Sequence, residues 1–427
     1  MSDQLCDLSL FIAVDQEFDD WDALLQRAHL VLKPLGIRYE ILVVDGGLDA
    51  QSRSTIERNE GVLLLHCELG GYGNRLRTAI QEAAGNYLIT VDSRPPESMD
   101  FLRNLWEARE AAEIVIGSRY VPGGSVAMPK SRRMVSRLSN IVFSRGLDLQ
   151  IKDMSSAFRL YKSQVVKRLE LESRDYEILQ EILVRALMMG YQIMEIPFHY
   201  RSADSDVGRA VHFGWSYVKA FVHLWKLRNS IASADYDARA YNALMPPQRY
   251  WQRQRFKHIT QLLSGQQKCL DVGCGSSQII GALPQGSVAL DILIRKVRYA
   301  RRFGRPVVQA SLFHLPVPSE SFPCVLCSQV IEHIPRPNAL NELDRALQPG
   351  GLLILGTPDY GNWQWLVTER LYKLLLPQAY ADEHITHYTY DELVEEFCSN
   401  RGYKLEAVRY ILKGELILAL RKPLQSS

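Results

Sequence analysis

Short apolar runs alternate with longer amphipathic segments along the first 120 or so residues of the chain. Each run has the length and composition of a buried strand, and each intervening segment has helical spacing. This alternation predicts βαβ units and a mostly parallel sheet. The predicted strands of this first series are Leu8–Val14, Tyr39–Asp45, Val62–Cys67, Tyr87–Asp92 and Glu113–Ser118.

A second series of apolar runs begins at Lys268. It ends with two β-like runs, Lys404–Leu412 and Glu415–Arg421, which predict an antiparallel hairpin that closes a sheet. The sequence therefore predicts a second α/β domain, so that the chain holds two Rossmann-like units. The other strands predicted for this series are Cys269–Val272, Ser287–Asp291, Val307–Ala310, Val325–Ser328 and Leu352–Gly356.

A basic and aromatic segment, Gly208 to Ser230, lies between the two series. Such a helix fits a membrane interface, or it packs on the first domain with its basic side chains in solvent. We place the first domain at 1–230, a linker at 231–246 and the second domain at 247–427. The apolar positions at helical spacing are Val211, Trp215, Val218, Val222 and Trp225, with Arg209, Lys219, Lys226 and Arg228 interleaved.

Length and composition narrow the class of protein. A chain of 427 residues is too long for one ordinary domain. The 47% hydrophobic content is that of a globular protein, and a net charge of +2 argues against a nucleic-acid partner. No apolar run reaches the length of a membrane span. Seven cysteines without framework spacing predict reduced thiols and a cytoplasmic protein.

A glycine-rich turn follows the first strand of the second domain in the stretch CLDVGCGSSQIIGALPQGSVALDI. Gly273 and Gly275 permit a sharp turn and a close approach of the backbone to a ligand. Asp291, about 20 residues beyond Asp271, is positioned to bind the two hydroxyls of a ribose. These features fit NAD as well as an adenosyl cofactor. Gln278 stands where a dinucleotide site would have its third glycine, and Asp271 suits an ammonium group better than a pyrophosphate.

Two downstream blocks, LFHLPVPSESFPCVLCSQVIEHIPRPNALNELDRALQPGGLLILGTPDY and EHITHYTYDELVEEFCSNRGY, extend this pattern. Roughly from Pro247 to Leu420, the sequence resembles the Rossmann-like S-adenosylmethionine-dependent methyltransferases. The resemblance implies a seven-stranded fold and S-adenosylmethionine as the cofactor. Ser311 stands where the family often has an acid near the adenine amino group. The other cofactor-binding residues that the resemblance implies are Asp271, Gly273, Cys274, Gly275, Asp291, Ile292 and Gln329.

Histidines near these blocks are candidates for acid–base chemistry. Methyl transfer from a sulfonium requires mainly alignment, and a hydroxyl acceptor would also need a base. His333, His384 and His387 are the candidates, and we predict His333 as the catalytic one. The spacing of His384 and His387 also suggests a metal, but it identifies no further ligand. The basic segment Arg295–Arg305 fits a solvated helix face or the footprint of an anionic acceptor.

The first domain carries the blocks YEILVVDGGLD, GGYGNRLRTAIQEAAGNYLITVD, IGSRYVPGGSV, DMSSAFRLY and GYQIMEIP. From Leu8 to Arg228 it resembles family 2 glycosyltransferases, particularly those that make polyprenyl-phosphate sugars of the dolichol-phosphate-mannose synthase type. The resemblance implies a GT-A-type fold and a nucleotide-sugar donor. It implies Glu17 and Asp45 near the nucleotide, Asp92 facing the diphosphate through a cation, Arg119 and Arg133 on phosphates, and Asp153 and Glu181 near the sugar.

The family's metal-binding pair of acids is incomplete in this sequence. It reads Asp92-Ser93-Arg94, and Gly46 follows Asp45 where a second acid is usual. Two carboxylates offset the charge of Mg²⁺ or Mn²⁺, and an arginine repels the cation, so Asp92 alone is a weak metal ligand. Arg94 meets the diphosphate directly, or it points to solvent, or the site only binds or scaffolds.

Two hypotheses of function follow. In the first, the chain is a bifunctional enzyme that transfers a sugar to a polyprenyl phosphate or a glycan and methylates a sugar or a related acceptor. Peripheral contact with the inner face of the membrane belongs to this hypothesis. In the second, the first domain is a non-catalytic binding module that serves the methyltransferase.

Overall fold

The computed structural model describes residues 6–13, 20–92, 96–127, 129–201, 214–242, 246–335, 338–375 and 384–424. It divides into two compact units, Met1–Arg228 and Asn229–Ser427. Each unit contains one seven-stranded mixed sheet with helices. The predicted α/β class is confirmed for both units.

The sheet of the first unit combines predicted parallel strands with strands that the sequence did not indicate. Its order is β3-β2-β1-β4-β7-β5-β8, and β1 to β4 are mutually parallel. The strands are β1 Cys6–Ala13, β2 Tyr39–Asp45, β3 Val62–His66, β4 Gly85–Asp92, β5 Ile114–Ser118, β7 Arg159–Lys162 and β8 Ile193–Pro197, and β6 Ser125–Ala127 pairs with β9 His199–Arg201.

Strand β7 lies antiparallel between β4 and β5. It begins with Arg159, whose side chain is completely buried. The guanidinium donates to the carbonyl oxygens of Ser156, Leu179 and Met154 at 2.7, 2.6 and 2.6 Å. These main-chain acceptors make the burial of the guanidinium possible. Because the short run begins with a charged residue, its hydrophobic pattern does not reveal a buried strand.

Helices cover both faces of this first sheet. In β2, Leu42 and Val44 belong to one apolar core, while Ile41 and Val43 belong to the other. Burial on both faces explains the continuous apolar runs of the parallel strands. The helices are α1 Trp21–Leu32, α2 Ala50–Glu57, α3 Tyr72–Glu82, α4 Leu102–Glu107, α5 Lys130–Gly146, α6 Ser163–Val166, α7 Ile178–Met188 and α8 Gly214–Arg228, with short turns at Lys33–Leu35 and Pro96–Phe101.

Helix α8 packs with a different face from the one predicted. Tyr217, Phe221 and Leu224 contact the core of the first unit, whereas the predicted positions Val218 and Val222 are 50% and 47% exposed. Helix α8 has two apolar faces that could pack on the first unit. The aromatic face packs there because its rings contact α5. Arg209 and Val211 lie outside the described residues. Arg228, predicted to be solvated, is buried and donates to the carbonyl oxygen of Leu147.

The sheet of the second unit has the order β12-β11-β10-β13-β14-β16-β15. The predicted hairpin is present, since β16 pairs antiparallel with both β15 and β14. The strands are β10 Leu270–Val272, β11 Val288–Asp291, β12 Val307–Gln309, β13 Phe322–Ser328, β14 Leu347–Pro358, β15 Lys404–Ile411 and β16 Glu415–Arg421.

The predicted linker 231–246 contains a helix of the second unit. Tyr236, Ala238 and Ala240 are at least nine-tenths buried within this short helix. Small alanines allow it to pack closely, which the prediction of a linker over this segment did not include. The helices are α9 Tyr236–Asn242, α10 Pro246–Leu263, α11 Ile279–Ala282, α12 Ile294–Ala300, α13 Asn338–Ala346, α14 Trp363–Leu375 and α15 Tyr390–Val394, with turns at Arg301–Phe303, Ile331–His333 and Glu395–Ser399.

Candidate functional sites

Asp45 and Asp92 end two parallel strands, β2 and β4, which flank β1 in the first sheet. Asp45 is the last residue of β2, and Asp92 is the last residue of β4, in register with Ala13 of β1. Because the strands are parallel, both acids lie at the carboxyl edge of the sheet, where open α/β sheets bind ligands. Glu17 and Arg94 lie outside the described residues, and so does the side chain of Asp92, so their roles stay predictions.

Asp45 is a fixed negative charge at this edge. Its side chain is buried and accepts hydrogen bonds from the N–H groups of Gly47 and Leu48, each at 2.9 Å. Arg53 lies 2.9 Å from the same carboxylate. Burial alone would raise the pKa of Asp45, but the two N–H groups and Arg53 outweigh it and hold this pKa below its ordinary value.

An arginine covers the position where the family usually has a second acid. A Cβ atom added to Gly46 would lie 2.8 Å from Nη1 of Arg75, on helix α3. The Nε of Arg75 is buried and has no hydrogen-bond partner among the described residues. The edge therefore offers guanidinium donors close to Asp45, which suits an anionic ligand.

Arg119 and Asp153 form a buried, bidentate ion pair. Nε and Nη2 of Arg119 each donate to the Asp153 carboxylate at 2.7 Å, and the backbone N–H of Arg119 donates at 2.9 Å. Burial alone would raise the pKa of Asp153, but Arg119 outweighs it and lowers this pKa. The predicted contact of Arg119 with a phosphate stays a prediction, because the pair uses only Nε and Nη2 of the guanidinium. The structure thus gives both residues a structural partner that the sequence did not indicate.

The carboxylate of Glu181 likewise makes hydrogen bonds to other residues of the chain. It accepts from the N–H groups of Glu172 and Ser173 and from Nε of Arg185, at 3.0, 2.8 and 2.7 Å. Glu181 therefore fixes the chain before α7 and is 1% exposed, and its predicted place near the sugar stays a prediction. Arg133, in the first turns of α5, is exposed.

An apolar and basic surface runs along helices α5 and α8, which pack through Phe143 against Tyr217 and Phe221. We call this the two-helix surface. Among the described residues, no helix is long and apolar enough to cross a bilayer. The exposed apolar residues of the surface are Met134, Leu138, Ile141, Val142, Val218, Val222 and Trp225, and the exposed basic ones are Lys130, Arg133, Arg137, Arg145, Lys219 and Lys226.

The second unit contains a cavity of about 480 Å³ at the carboxyl ends of its parallel strands. The glycine turn after β10, the end of β11 and the segment after β13 form its walls. The structure thus brings together every residue of this unit that the sequence singled out for the cofactor, together with the predicted catalytic histidine. These residues are Asp271, Gly273, Cys274, Gly275, Asp291, Ile292, Ser311, Gln329 and His333.

The glycine turn depends on two residues with left-handed backbone. Gly273 and Gly275 have φ values of +72° and +58°. A Cβ at Gly273 would overlap Val330, and one at Gly275 would lie 2.6 Å from a carboxylate oxygen of Asp237. Asp291 accepts from the N–H of Gly275 at 2.8 Å, which ties the turn to the end of β11. The turn therefore exposes backbone to the cavity without side chains.

Asp237 of α9 is a cavity residue that the sequence analysis missed. Its carboxylate accepts from the N–H and the hydroxyl of Ser276, each at 3.0 Å, and from Nζ of Lys296 at 3.1 Å. Burial alone would raise the pKa of Asp237, but Lys296 and then Ser276 outweigh it and lower this pKa. The available signal was an acid in the first turn of a short helix within the predicted linker. Lys296, within the predicted basic segment, is buried, whereas Arg301 and Arg302 are exposed.

Asp271 lies under the glycine turn and is 4% exposed. Burial, and then the neighbouring Asp291, raise the pKa of Asp271 to about 7. A cationic ligand group beside this carboxyl would favour its ionised form. The cavity therefore contains an acid whose charge responds to an ammonium group near neutral pH.

Glu332, His333 and His384 gather at another part of the cavity. Burial raises the pKa of Glu332 to about 8. The rings of His333 and His384 lie 4.9 Å apart, and the Nδ1 of His384 lies 2.7 Å from the Tyr360 hydroxyl. His387 does not line the cavity but stacks on Tyr360 at 4.0 Å. The predicted histidine pair is therefore split between two environments.

Comparison with known families agrees with this architecture. Residues 9–170 match the model of glycosyl transferase family 2, and residues 270–355 match a model of a methyltransferase domain. The chain therefore joins two transferase domains of different families. The first resembles polyprenol-phosphate mannosyltransferases in particular, as predicted, and the relatives that carry this likeness follow.

The undecaprenyl-phosphate mannosyltransferase of Micrococcus luteus is 30% identical over 34% of the chain and 60% of that protein. The dolichol-phosphate mannosyltransferase of Pyrococcus furiosus is 28% identical over 45% of the chain and 56% of that protein. The polyprenol monophosphomannose synthase of Mycolicibacterium smegmatis is 28% identical over 29% of the chain and 48% of that protein. The chain thus spans about half the length of these relatives.

Two of the solved structures similar to the chain are described as methyltransferases. A putative methyltransferase from Bacillus halodurans is 20% identical, covers 40% of the chain and 99% of its own, and has a TM-score of 0.33. A SAM-dependent methyltransferase from Thermotoga maritima is 18% identical, covers 41% of the chain and 90% of its own, and has a TM-score of 0.35.

Proposed function

We propose that the chain is a bifunctional transferase. Its first unit transfers a sugar from a nucleotide-sugar donor to a lipid phosphate at a membrane surface. Its second unit transfers a methyl group from S-adenosylmethionine to a sugar or a related glycan. The observation that carries the proposal is the cavity of the second unit, which gathers Asp271, the glycine turn and Asp291.

The residues of that cavity fit S-adenosylmethionine. Its volume of about 480 Å³ is within the roughly 300–1,000 Å³ of small-molecule sites. Asp271 would pair with the ammonium group, Asp291 would accept from the ribose hydroxyls, and Ile292 would pack against the adenine. The bound cofactor supplies an electrophilic methyl group on a sulfonium. The chain's own contribution is to hold the donor and the acceptor in line.

The first unit is suited to an anionic donor. At the carboxyl edge of its sheet, Asp45 would accept from the nucleoside, while Arg75 and Arg53 lie close enough to Asp45 to face a diphosphate. One acid and an arginine favour direct charge-assisted hydrogen bonds over a bridging cation. We therefore propose that this site needs no metal.

The two-helix surface supports a lipid acceptor. Exposed Leu, Met, Val and Trp side chains flanked by arginines and lysines are typical of helices that lie in the headgroup region of a bilayer. The relatives of this unit are named for transfer to undecaprenyl, dolichol or polyprenol phosphate. We infer that the chain contacts anionic membranes peripherally through this surface.

The two activities are tested separately with the full chain. Calorimetry should detect S-adenosylmethionine binding at micromolar scale, and absence of binding would end the methyltransferase proposal. Radiolabelled UDP-, GDP- and dTDP-sugars, offered with polyprenyl phosphate in vesicles, should yield a labelled lipid with one of these donors. Binding of a donor without transfer would contradict the glycosyltransferase proposal.

A second candidate function is a binding module that delivers an acceptor to the methyltransferase. The closed pair of Arg119 and Asp153 and the absence of an acid at Gly46 favour it. It predicts donor or product binding by the first unit with neither transfer nor hydrolysis. Variants of the first unit that lose this binding should then methylate the acceptor less efficiently.

A further inference from the structure

Glu332, His333 and His384 bring three metal-binding groups to one point of the cavity. One ligand atom from each residue lies within 4.8 Å of the other two. Glu332 and His333 form the turn Ile331–His333 after β13, while His384 comes from a distant part of the chain. Two imidazoles and one carboxylate are a donor set that zinc and other divalent transition metals use.

The carboxylate of Glu332 indicates a bound ligand independently of the spacing of the three residues. The side chain is completely buried. Its Oε2 accepts from the Thr357 hydroxyl at 3.2 Å, whereas its Oε1 has no hydrogen-bond partner among the described residues. An unpartnered carboxylate oxygen in a buried place costs free energy. A cation bound by this oxygen would remove that cost.

Backbone hydrogen bonds hold the two parts of the cluster together. The N–H groups of Ile385 and Thr386 both donate to the carbonyl oxygen of Glu332, each at 2.9 Å. The Thr386 hydroxyl donates to the carbonyl oxygen of Ile334 at 2.8 Å. The segment that carries His384 is therefore tied to the turn that carries Glu332 and His333. The fold itself therefore holds these three residues close together.

The spacing needs only a small contraction to hold an ion. Three atoms that lie within 4.8 Å of one another have a common point about 2.8 Å from each, compared with roughly 2.0–2.2 Å for zinc bonded to His and Glu. Small rotations of the two imidazole rings would close this difference.

We propose that Glu332, His333 and His384 form a divalent-cation site of the zinc type. We further infer, on the basis of the proposed methyltransferase function, that the site receives an acceptor hydroxyl. The cluster lines the same cavity as the glycine turn, but it follows β13 and is separate from Asp271 and Asp291. It therefore occupies the part of the cavity that the cofactor residues leave for an acceptor.

A cation at this position would act as a Lewis acid toward the acceptor oxygen and so ease loss of its proton. In the transfer, the hydroxyl proton passes to water and the oxygen–carbon bond forms. The carbon–sulfur bond breaks at the same time, and the sulfur keeps the electron pair. A sugar hydroxyl, which is a poor nucleophile when neutral, is the class of acceptor that gains most from such a site.

The experiment measures cation binding directly. The full chain is stripped with a chelator, dialysed and titrated with Zn²⁺ by calorimetry and with Co²⁺ by visible absorption. We expect the wild type to bind one more cation per chain than the His384→Ala variant binds. Glu332→Gln should weaken the same site at least tenfold. His314→Ala removes an exposed histidine of the same unit and should leave binding unchanged.

Equal cation binding by the wild type, His384→Ala and Glu332→Gln would overturn the proposal. Because the buried Glu332→Gln variant could fail to fold, His384→Ala decides the outcome alone in that case. S-Adenosylmethionine binding is measured in the same samples. If the wild type binds the cofactor but not the extra cation, only the metal site is contradicted. If it binds the extra cation but not the cofactor, the methyltransferase function is contradicted and the metal site is still supported.

Discussion

Asp237 and Ser276 exchange hydrogen bonds in both directions although they lie 39 residues apart in the chain. The N–H of Asp237 donates to the Ser276 hydroxyl oxygen at 3.0 Å, and the N–H of Ser276 donates back to the carboxylate at 3.0 Å. Helix α9 is thereby fastened directly onto the glycine turn. A segment that precedes the sheet in sequence thus becomes part of the cavity wall.

Loss of this fastening should weaken both folding and cofactor binding. Asp237→Ala removes the carboxylate that accepts from Ser276 and pairs with the largely buried Lys296. We expect a loss of about 2–4 kcal/mol in the free energy of unfolding of the second unit. Chemical denaturation and calorimetry with S-adenosylmethionine measure the two effects. Asp391→Ala, at an exposed acid of the same unit, is the matched control and should change neither.

Cofactor affinity should depend on pH through Asp271. Its pKa of about 7 means that the carboxyl is largely neutral at pH 6 and largely ionised at pH 8. An ammonium group binds the ionised form, so affinity should be about tenfold weaker at pH 6 than at pH 8. Calorimetry at both values tests this. Asp271→Asn should bind weakly with little pH dependence; an unchanged wild-type affinity between pH 6 and 8 would contradict the assignment.

The same carboxyl should make the ligand-free second unit less stable as pH rises. The folded state raises the pKa of Asp271 from its ordinary value near 3.8 to about 7. Between these values the folded chain binds more protons than the unfolded chain, so stability falls with increasing pH across this window. Asp271→Asn should show a smaller decline from pH 4 to 7. Denaturant titrations at several pH values measure it, and equal slopes for both proteins would be inconsistent with a buried, neutral carboxyl.

How far sequence alone leads depends on whether the signal is local. The hairpin β15–β16 and the glycine turn were predictable because each depends on residues that are contiguous in the sequence. Strand β7 was not, since Arg159 finds its acceptors partly in the segment just before the strand and partly at Leu179, 20 residues further along the chain. The grouping proposed as a cation site was also out of reach: the pair His384 and His387 suggested a metal, yet the fold joins His384 to Glu332 and His333 and leaves His387 on Tyr360.

The two-helix surface should bind anionic membranes. Leu138→Glu places a negative charge among the exposed apolar and basic side chains of α5, so it should reduce co-sedimentation with vesicles of anionic lipid severalfold. Leu30→Glu is the matched control, because Leu30 is similarly exposed on α1 of the same unit. Equal loss in both variants, or none in either, would show that the surface is not the contact.

Nucleotide-sugar binding by the first unit should be insensitive to chelators. Asp45 is engaged by two backbone N–H groups and by Arg53, and the position of the second family acid is Gly46, covered by Arg75. A divalent cation would therefore meet one further acid, Asp92, beside the arginine of the Asp92-Ser93-Arg94 sequence. That arrangement offers too little negative charge to hold the ion.

Arginines should carry the diphosphate instead. Arg94→Ala and Arg75→Ala are each expected to cost about 1.5–3 kcal/mol of donor affinity, as for hydrogen bonds to a charged group. Arg94→Asp should restore a pair of acids and make binding depend on Mn²⁺. Donor titrations with and without EDTA distinguish the cases. Collapse of wild-type binding in EDTA would mean that Asp92 holds a cation despite Arg94, and retention of full affinity in both alanine variants would remove the arginines from the site.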